Sequence, residues 1–216
     1  MAFQLRYYQA DEGGDDYPNT DNVPSGAYIF KPAKNAQYSL PYVNATKVEN
    51  FNSSFMQQTT LYYFDSETNR SARVLIRAFA KNPAIEFEVL LDPIPDNQGG
   101  IEVTANFFAY NFDSNNTFYT DSNALDMQKR VLNKRPTWNL TTNEPISANY
   151  YPINSAIAIK DNVQNLEMVV TNDRSQGGSV ITNSRVEFMQ HRRLFKDDAR
   201  GVGEPLSENG TFGIGI

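Results

Sequence analysis

Residues 190–203, QHRRLFKDDARGVG, hold the densest set of groups in this chain that could do chemistry. His191 precedes Arg192 and Arg193, and Asp197, Asp198 and Arg200 follow before the Gly201/Gly203 pair. Two carboxylates can hydrolyse a glycosidic bond, provided that they stand about 5–10 Å apart across the sugar. Asp197 and Asp198 are adjacent, and on extended backbone their side chains diverge, so they meet that condition poorly. The other use of such a set is a clamp, with Asp197 and Asp198 holding Arg192, Arg193 or Arg200 by charge-assisted hydrogen bonds. His191 is the one histidine, so a Ser/His/Asp triad or a multi-histidine zinc site would rest on a single residue. No residue of the chain is therefore assigned as catalytic or as a metal ligand. With no cysteine, disulfides, thiolate metal sites and cysteine nucleophiles are excluded. The glycine pairs at 99–100 and 177–178 lack the following lysine or helix of a phosphate-cradling loop.

Sugar binding suits the composition better. Sugars offer hydroxyls to Arg, Asp and Tyr side chains and apolar C–H faces to aromatic rings. Tyr28, Tyr119, Tyr150, Tyr151 and Trp138 lie near loop boundaries where such contacts form; packing between strands is the alternative for each. A net charge of −6 argues against nucleic acid, whose phosphates need a basic face. No apolar run approaches the ~20 residues of a membrane span, so a soluble chain is expected. The opening MAFQLRYYQADEGGDD lacks the apolar core of a signal peptide. Sequons begin at Asn44, Asn52, Asn69, Asn115, Asn139 and Asn209, a weak mark of secretion in an asparagine-rich chain.

The elements that must position these residues read as strands. Residues 3–8 suggest an edge strand, followed by an acidic loop at 11–16; 25–32, SGAYIFKP, is extended and closed by Pro32. Residues 61–64, 72–80, 85–89 and 101–110 alternate or are aromatic, with turn signals between them. Residues 118–132 could form a short helix capped by Asp121 or Ser122, but a hairpin turning at Asn123-Ala124 fits the β surroundings better. Strands follow at 155–159, after ANYYPIN, and at 166–171. A glycine turn at 177–178 then leads to a strand in which Val186 and Phe188 alternate with Glu187 and Met189. The expected fold is all-β, an antiparallel β-sandwich. The expected division is an N-terminal edge strand and acidic loop over 1–24 and a sandwich domain over 25–216.

The motifs SGAYIFKP (25–32), FYTDSN (118–123), RPTW (135–138), ANYYPIN (148–154), NDRSQGG (172–178), HRRL-x-x-DD and RG-x-G-x-x-L resemble, in order, the C-terminal region of the glycoside hydrolase family 38 α-mannosidases, the lysosomal type especially. The resemblance covers roughly 25–206; residues 33–69 and the turn at 93–100 carry none of it. It implies a β-sandwich of the galactose-mutarotase-like supersandwich type. It also implies a parent enzyme, retaining and zinc-dependent, that hydrolyses terminal α-linked mannose. The nucleophile and zinc ligands of such an enzyme belong to an N-terminal catalytic domain with no counterpart here, so this chain alone would hold no zinc and hydrolyse nothing. The implied partners are mannose-containing glycans and that catalytic domain. The implied compartment is lysosomal, vacuolar or secreted. By the same resemblance Tyr28 and Arg200 contact the sugar, and Asp197, Asp198, Arg192 and Arg193 support their loops. The alternatives are a stand-alone carbohydrate-binding module without catalysis, and a sandwich in which these loops only pack.

Overall fold

The computed structural model describes residues 1–14, 22–39, 45–65, 70–94, 99–201 and 203–207. The sequons at Asn44, Asn69 and Asn209 and the end of the acidic loop, Asp15 and Asp16, lie outside them. The described chain is all-β, with three antiparallel sheets. Its strands are β1 (Ala2–Gln9), β2 (Tyr38–Ser39), β3 (Ala45–Asn52), β4 (Met56–Asp65), β5 (Arg70–Phe79), β6 (Ile85–Leu91), β7 (Ile101–Phe108), β8 (Thr117–Ser122), β9 (Asp126–Val131), β10 (Tyr151–Ile153), β11 (Ala156–Asp161), β12 (Leu166–Thr171), β13 (Gln176–Thr182) and β14 (Arg185–Arg193). They fall into two compact units.

The first unit takes Met1–Tyr38 and Gly99–Leu206. Its larger sheet runs β10-β13-β14-β7-β1-β2, and its smaller sheet runs β12-β11-β8-β9. The smaller sheet meets the larger where β11 touches β14 and β8 touches β10. Phe118, Ile153, Ile157, Ile159, Val180 and Val186 fill the interior and are all but inaccessible to solvent. β1 is not at the edge as expected: it pairs along its length with β7, and β2 lies outside it.

The larger sheet has two unlike faces. Because side chains alternate, the register sets Leu5 and Phe3 of β1 beside Ala105 and Phe107 of β7, with Phe188 and Val186 of β14 beyond. Tyr8, Glu102, Thr104, Asn106 and Glu187 point the other way. That polar face is as buried as the apolar one, since every residue from Ile101 to Phe107 is shielded from solvent. A register shift between Met189 and His191 adds one residue to β14. Glu187 and Arg192, an odd number of positions apart, thereby point to the same face.

Two sequence expectations are settled here. Residues 118–132 form the β8–β9 hairpin, with Asn123 and Ala124 at φ 52° and 58°, the paired left-handed conformation of a type I′ turn. The glycines at 177–178 do not turn the chain; they lie inside β13. A Cβ on Gly178 would stand 2.8 Å from Ile153 Cγ1, and one on Gly177 would stand 3.2 Å from the Tyr150 ring. Close approach, not a bend, requires glycine there.

The second unit, drawn from the described residues of Ser39–Gln98, is the meander β3-β4-β5-β6. Leu61, Val74, Ile76, Phe87 and Val89 share one face by register. On the other, Arg77 joins Glu86 at 2.7 Å and Glu88 at 2.6 Å. Strand β3, ATKVENFN, is too polar to read from sequence and is mostly exposed.

Candidate functional site

The loop 25–30 crosses the polar face of the larger sheet without joining it, so its backbone groups need other partners. Two charged side chains supply them, Asp198 buried and Arg192 half-buried. The Asp198 carboxylate, wholly inaccessible to solvent, accepts the N–H of Tyr28 at 2.7 Å and of Ile29 at 2.9 Å on Oδ2. Its Oδ1 accepts the N–H of Arg200 at 3.1 Å. One carboxylate thus ties together two loops 170 positions apart. The contact is close enough to dictate a neighbour: a Cβ on Gly26 would stand 2.5 Å from Asp198 Cβ.

The carbonyls of the loop face the opposite charge. Arg192 Nη2 lies 2.8 Å from Gly26 O and 2.8 Å from Ile29 O. The same guanidinium reaches Glu102 Oε1 through Nε at 3.0 Å and Nη2 at 2.8 Å. Ser25 Oγ donates to Glu102 Oε1 at 2.7 Å and accepts the Lys31 N–H at 2.9 Å. Burial pushes the Glu102 carboxyl above the usual range, opposed by Arg192 and the Ser25 hydroxyl.

Beneath the loop, the Phe30 ring sits edge-on to Tyr8 and Tyr150, with centroids at 5.5 and 4.7 Å. Both tyrosine hydroxyls donate to Glu187 Oε1, at 2.8 and 2.9 Å, and Arg185 reaches Glu187 Oε2 at 3.3 Å. Burial pushes the Glu187 carboxyl up, against the pull of Arg185 and the two hydroxyls. Burial and then Glu187 raise the Tyr150 phenol well above its ordinary value.

Over this anchored loop the Tyr28 side chain stands 64% exposed, and Arg200 is exposed on the adjoining loop. Asp198 holds the backbones of both residues, and an exposed phenol or guanidinium can hydrogen-bond a polyol, or the phenol ring stack on its C–H face. The Asp198 and Arg192 side chains thus meet the backbone around Tyr28, and Asp198 that of Arg200, with one difference from the expected clamp. The expected clamp of Asp198 on an arginine side chain is instead a clamp on backbone N–H groups, and Glu102 is the carboxylate that holds Arg192. Arg193 turns to the other face of β14, its guanidinium 5.4 Å from the Phe195 ring, while Asp197 is half-buried beside Asp198.

The other aromatic candidates sit elsewhere. Tyr150 belongs to the buried Glu187 network, Tyr151 lies under the guanidinium of Arg130 at 4.4 Å, and Lys160 stands over Tyr119 at 5.3 Å. Trp138 is exposed. His191 is half-buried on β14 opposite Val103. Among the described residues no three His, Cys, Asp or Glu side chains group as a metal would need. Glu102, Ser25 and Gly26 escaped the sequence reading.

Comparison with known proteins agrees with this architecture. The model of the glycosyl hydrolases family 38 C-terminal domain matches residues 1–200. The chain is 38% identical over 208 residues to the lysosomal alpha-mannosidase of Bos taurus, covering 95% of this chain and 19% of that protein. The Homo sapiens protein of the same name is 38% identical over 196 residues, covering 89% of this chain and 18% of its own length. The Dictyostelium discoideum one is 33% identical over 204 residues, covering 94% and 19%. The chain spans about a fifth of the length of these relatives. It belongs to glycosyl hydrolase family 38, matching that family's C-terminal domain.

Proposed function

We propose that this chain is the C-terminal β part of a lysosomal or vacuolar α-mannosidase that removes terminal α-linked mannose from glycoprotein glycans or oligosaccharides. In this reading it supplies one wall of the sugar site. The zinc and the nucleophile belong to an N-terminal catalytic domain, and this chain binds and orients. Tyr28 hydrogen-bonds a mannose hydroxyl through its phenol, and Arg200 shapes the same wall by side chain or backbone. Asp198 keeps the two loops in register.

The observation that carries the reading is the contrast at Tyr28. The backbone around it is fixed by Asp198 and Arg192, yet its ring is mostly exposed. Holding a loop costs conformational entropy, and an exposed aromatic on a held loop is what a recognition surface needs. The test is Tyr28→Phe and Arg200→Ala in the full-length enzyme. Tyr28→Phe loses one hydroxyl hydrogen bond, so kcat/KM on a nitrophenyl α-mannoside should fall on the order of tenfold. Thermal unfolding should stay unchanged for both. Unchanged kinetics for both variants would refute the reading.

A further inference from the structure

Two glutamates lie on the polar face of the larger sheet, both inaccessible to solvent, and they use their oxygens differently. Glu187 engages Tyr8 and Tyr150 with one oxygen and Arg185 with the other. These three partners belong to the interior. Glu102 directs Oε1 alone at Ser25 and at Arg192. Its Oε2, equally buried, has no hydrogen-bond partner among the described residues. An unsatisfied buried carboxylate oxygen is costly, and well-packed apolar residues commonly serve a core as well as or better than a buried ion pair. Core stability is therefore a poor account of Glu102.

What Glu102 does achieve is orientation of Arg192. The guanidinium comes off β14 opposite Glu102 and is planar, so fixing Nε and Nη2 on one oxygen fixes where Nη2 points. That direction leads to Gly26 O and Ile29 O, the carbonyls on either side of Ala27-Tyr28. Ser25, at the start of the loop, binds the same Oε1. The register shift between Met189 and His191 brings Arg192 to this face at all.

We propose that Glu102 and Arg192 are positioning residues for the sugar site, acting on it only through the backbone that carries Tyr28. This rests on the reading of Tyr28 as a sugar contact. A lysine at 192 keeps the charge near Glu102 but has no planar fork, so it cannot hold Glu102 and the two carbonyls together.

The experiment is a double-mutant cycle in the full-length enzyme, with a nitrophenyl α-mannoside as substrate and thermal unfolding measured alongside. A misplacement of about 1 Å can cost up to ~100-fold in rate, so Arg192→Lys should lower kcat/KM by about tenfold or more in the wild-type background. In the Tyr28→Phe background the same substitution should lower it by less than about twofold, because the contact that it misplaces is gone. Equal losses in both backgrounds would overturn the positioning role while leaving Tyr28 as a sugar contact. No loss from Tyr28→Phe itself would instead remove the Tyr28 reading, and this inference with it. Where Arg192→Lys does not fold, Ser25→Ala completes the same cycle, since it deletes one partner of Glu102 and leaves the ion pair in place.

Discussion

Gly26→Ala tests the coupling between the two loops with a single methyl group. Gly26 is not in the left-handed region, so on backbone grounds alone alanine would stabilise by about 0.4–1 kcal/mol. The neighbour reverses the sign. The new Cβ would stand 2.5 Å from Asp198 Cβ and 2.6 Å from both Cγ and Oδ2, whereas carbon atoms in contact sit about 3.5–4.0 Å apart. The Asp198 side chain is not the far end of a flexible chain, so relief means a retreat of about 1 Å. The bonds from Tyr28 and Ile29, now 2.7 and 2.9 Å, would then lengthen beyond the roughly 3.2 Å limit of a good hydrogen bond. Bonds to a charged acceptor contribute about 1.5–3 kcal/mol each and overpacking costs about 1–3. With water replacing part of the loss, a local cost of about 2–4 kcal/mol is expected. Native-state hydrogen exchange on a peptide covering 25–31 reads this directly. Each 1.4 kcal/mol is a factor of ten, so exchange at Tyr28 and Ile29 should accelerate by about 30- to 1,000-fold. Protection within about threefold of wild type would refute the reasoning.

Acidity should stabilise the first unit down to a limit. Glu102 and Glu187 have folded-state values raised above their ordinary 4.5, so their contribution is fully present below that value and is lost as pH rises through the folded ones. Each adds up to about 1.4 kcal/mol per pH unit within its window, so the urea midpoint should rise from pH 7 to pH 5 and Glu187→Gln should flatten the rise; a steady fall over that range would count against it. At the acid end the sign reverses. Backbone N–H groups of Asp113 and Gln164 lead in holding Asp161 down to about 2. Burial pushes Asp121 up, yet the N–H groups of Ser155, Ala124, Ala156 and Asn154 outweigh it and hold it below its ordinary value. Both contributions are present above 3.8, the ordinary aspartate value, and are lost as pH falls through the folded ones. Asp121→Ala leaves those four N–H groups, bonded at 2.8 to 3.2 Å, without their acceptor; a loss of about 3 kcal/mol in urea unfolding is expected, and a loss under about 1 would mean that water replaces the carboxylate.

The strands were legible wherever alternation and turn chemistry agreed. β5 and β6 follow Val74, Ile76, Phe87 and Val89, and the β8–β9 turn follows Asn123. One misread turn and two features hidden from the sequence share a physical cause, that local pattern does not report what covers a strand. β7 alternates Glu102, Thr104 and Asn106 with Val103, Ala105 and Phe107, which usually means one wet face, yet both of its faces are buried. Gly177 and Gly178 look like a turn because the packing partners that exclude a Cβ, Tyr150 and Ile153, come from another strand and its approach. Strict alternation along β14 would have put Arg193, not Arg192, on the face of Glu187, and the extra residue that swaps them has no signature in Gln190 or His191. Tyr28, Arg200 and Asp198 stood out by residue type and place in the chain, and only their joint role at a sugar site came from resemblance. Glu102 could be found only by asking what opposes Arg192.

Tying loops with aspartates is routine in this chain, which bears on how much Asp198 means. Asp121 gathers the N–H groups of residues 154–156 with that of Ala124, and Asp161 gathers those of Asp113, Val163 and Gln164. Each of these ties a turn to a neighbouring strand or loop, and stability alone accounts for it. The loop at 25–30 differs in having both backbone polarities met by side-chain charge: the buried Asp198 anion for its N–H groups and the half-buried Arg192 cation for its carbonyls. Drawing two charges of opposite sign out of water costs more than a strand pairing would, and a strand pairing would have satisfied the same groups. But a strand would have set Tyr28 into the alternation of a sheet, whereas the charges hold an irregular backbone still and leave its ring in the open. Glu102, in a strand that could have been apolar, is thus better explained by what the loop presents than by what the core needs.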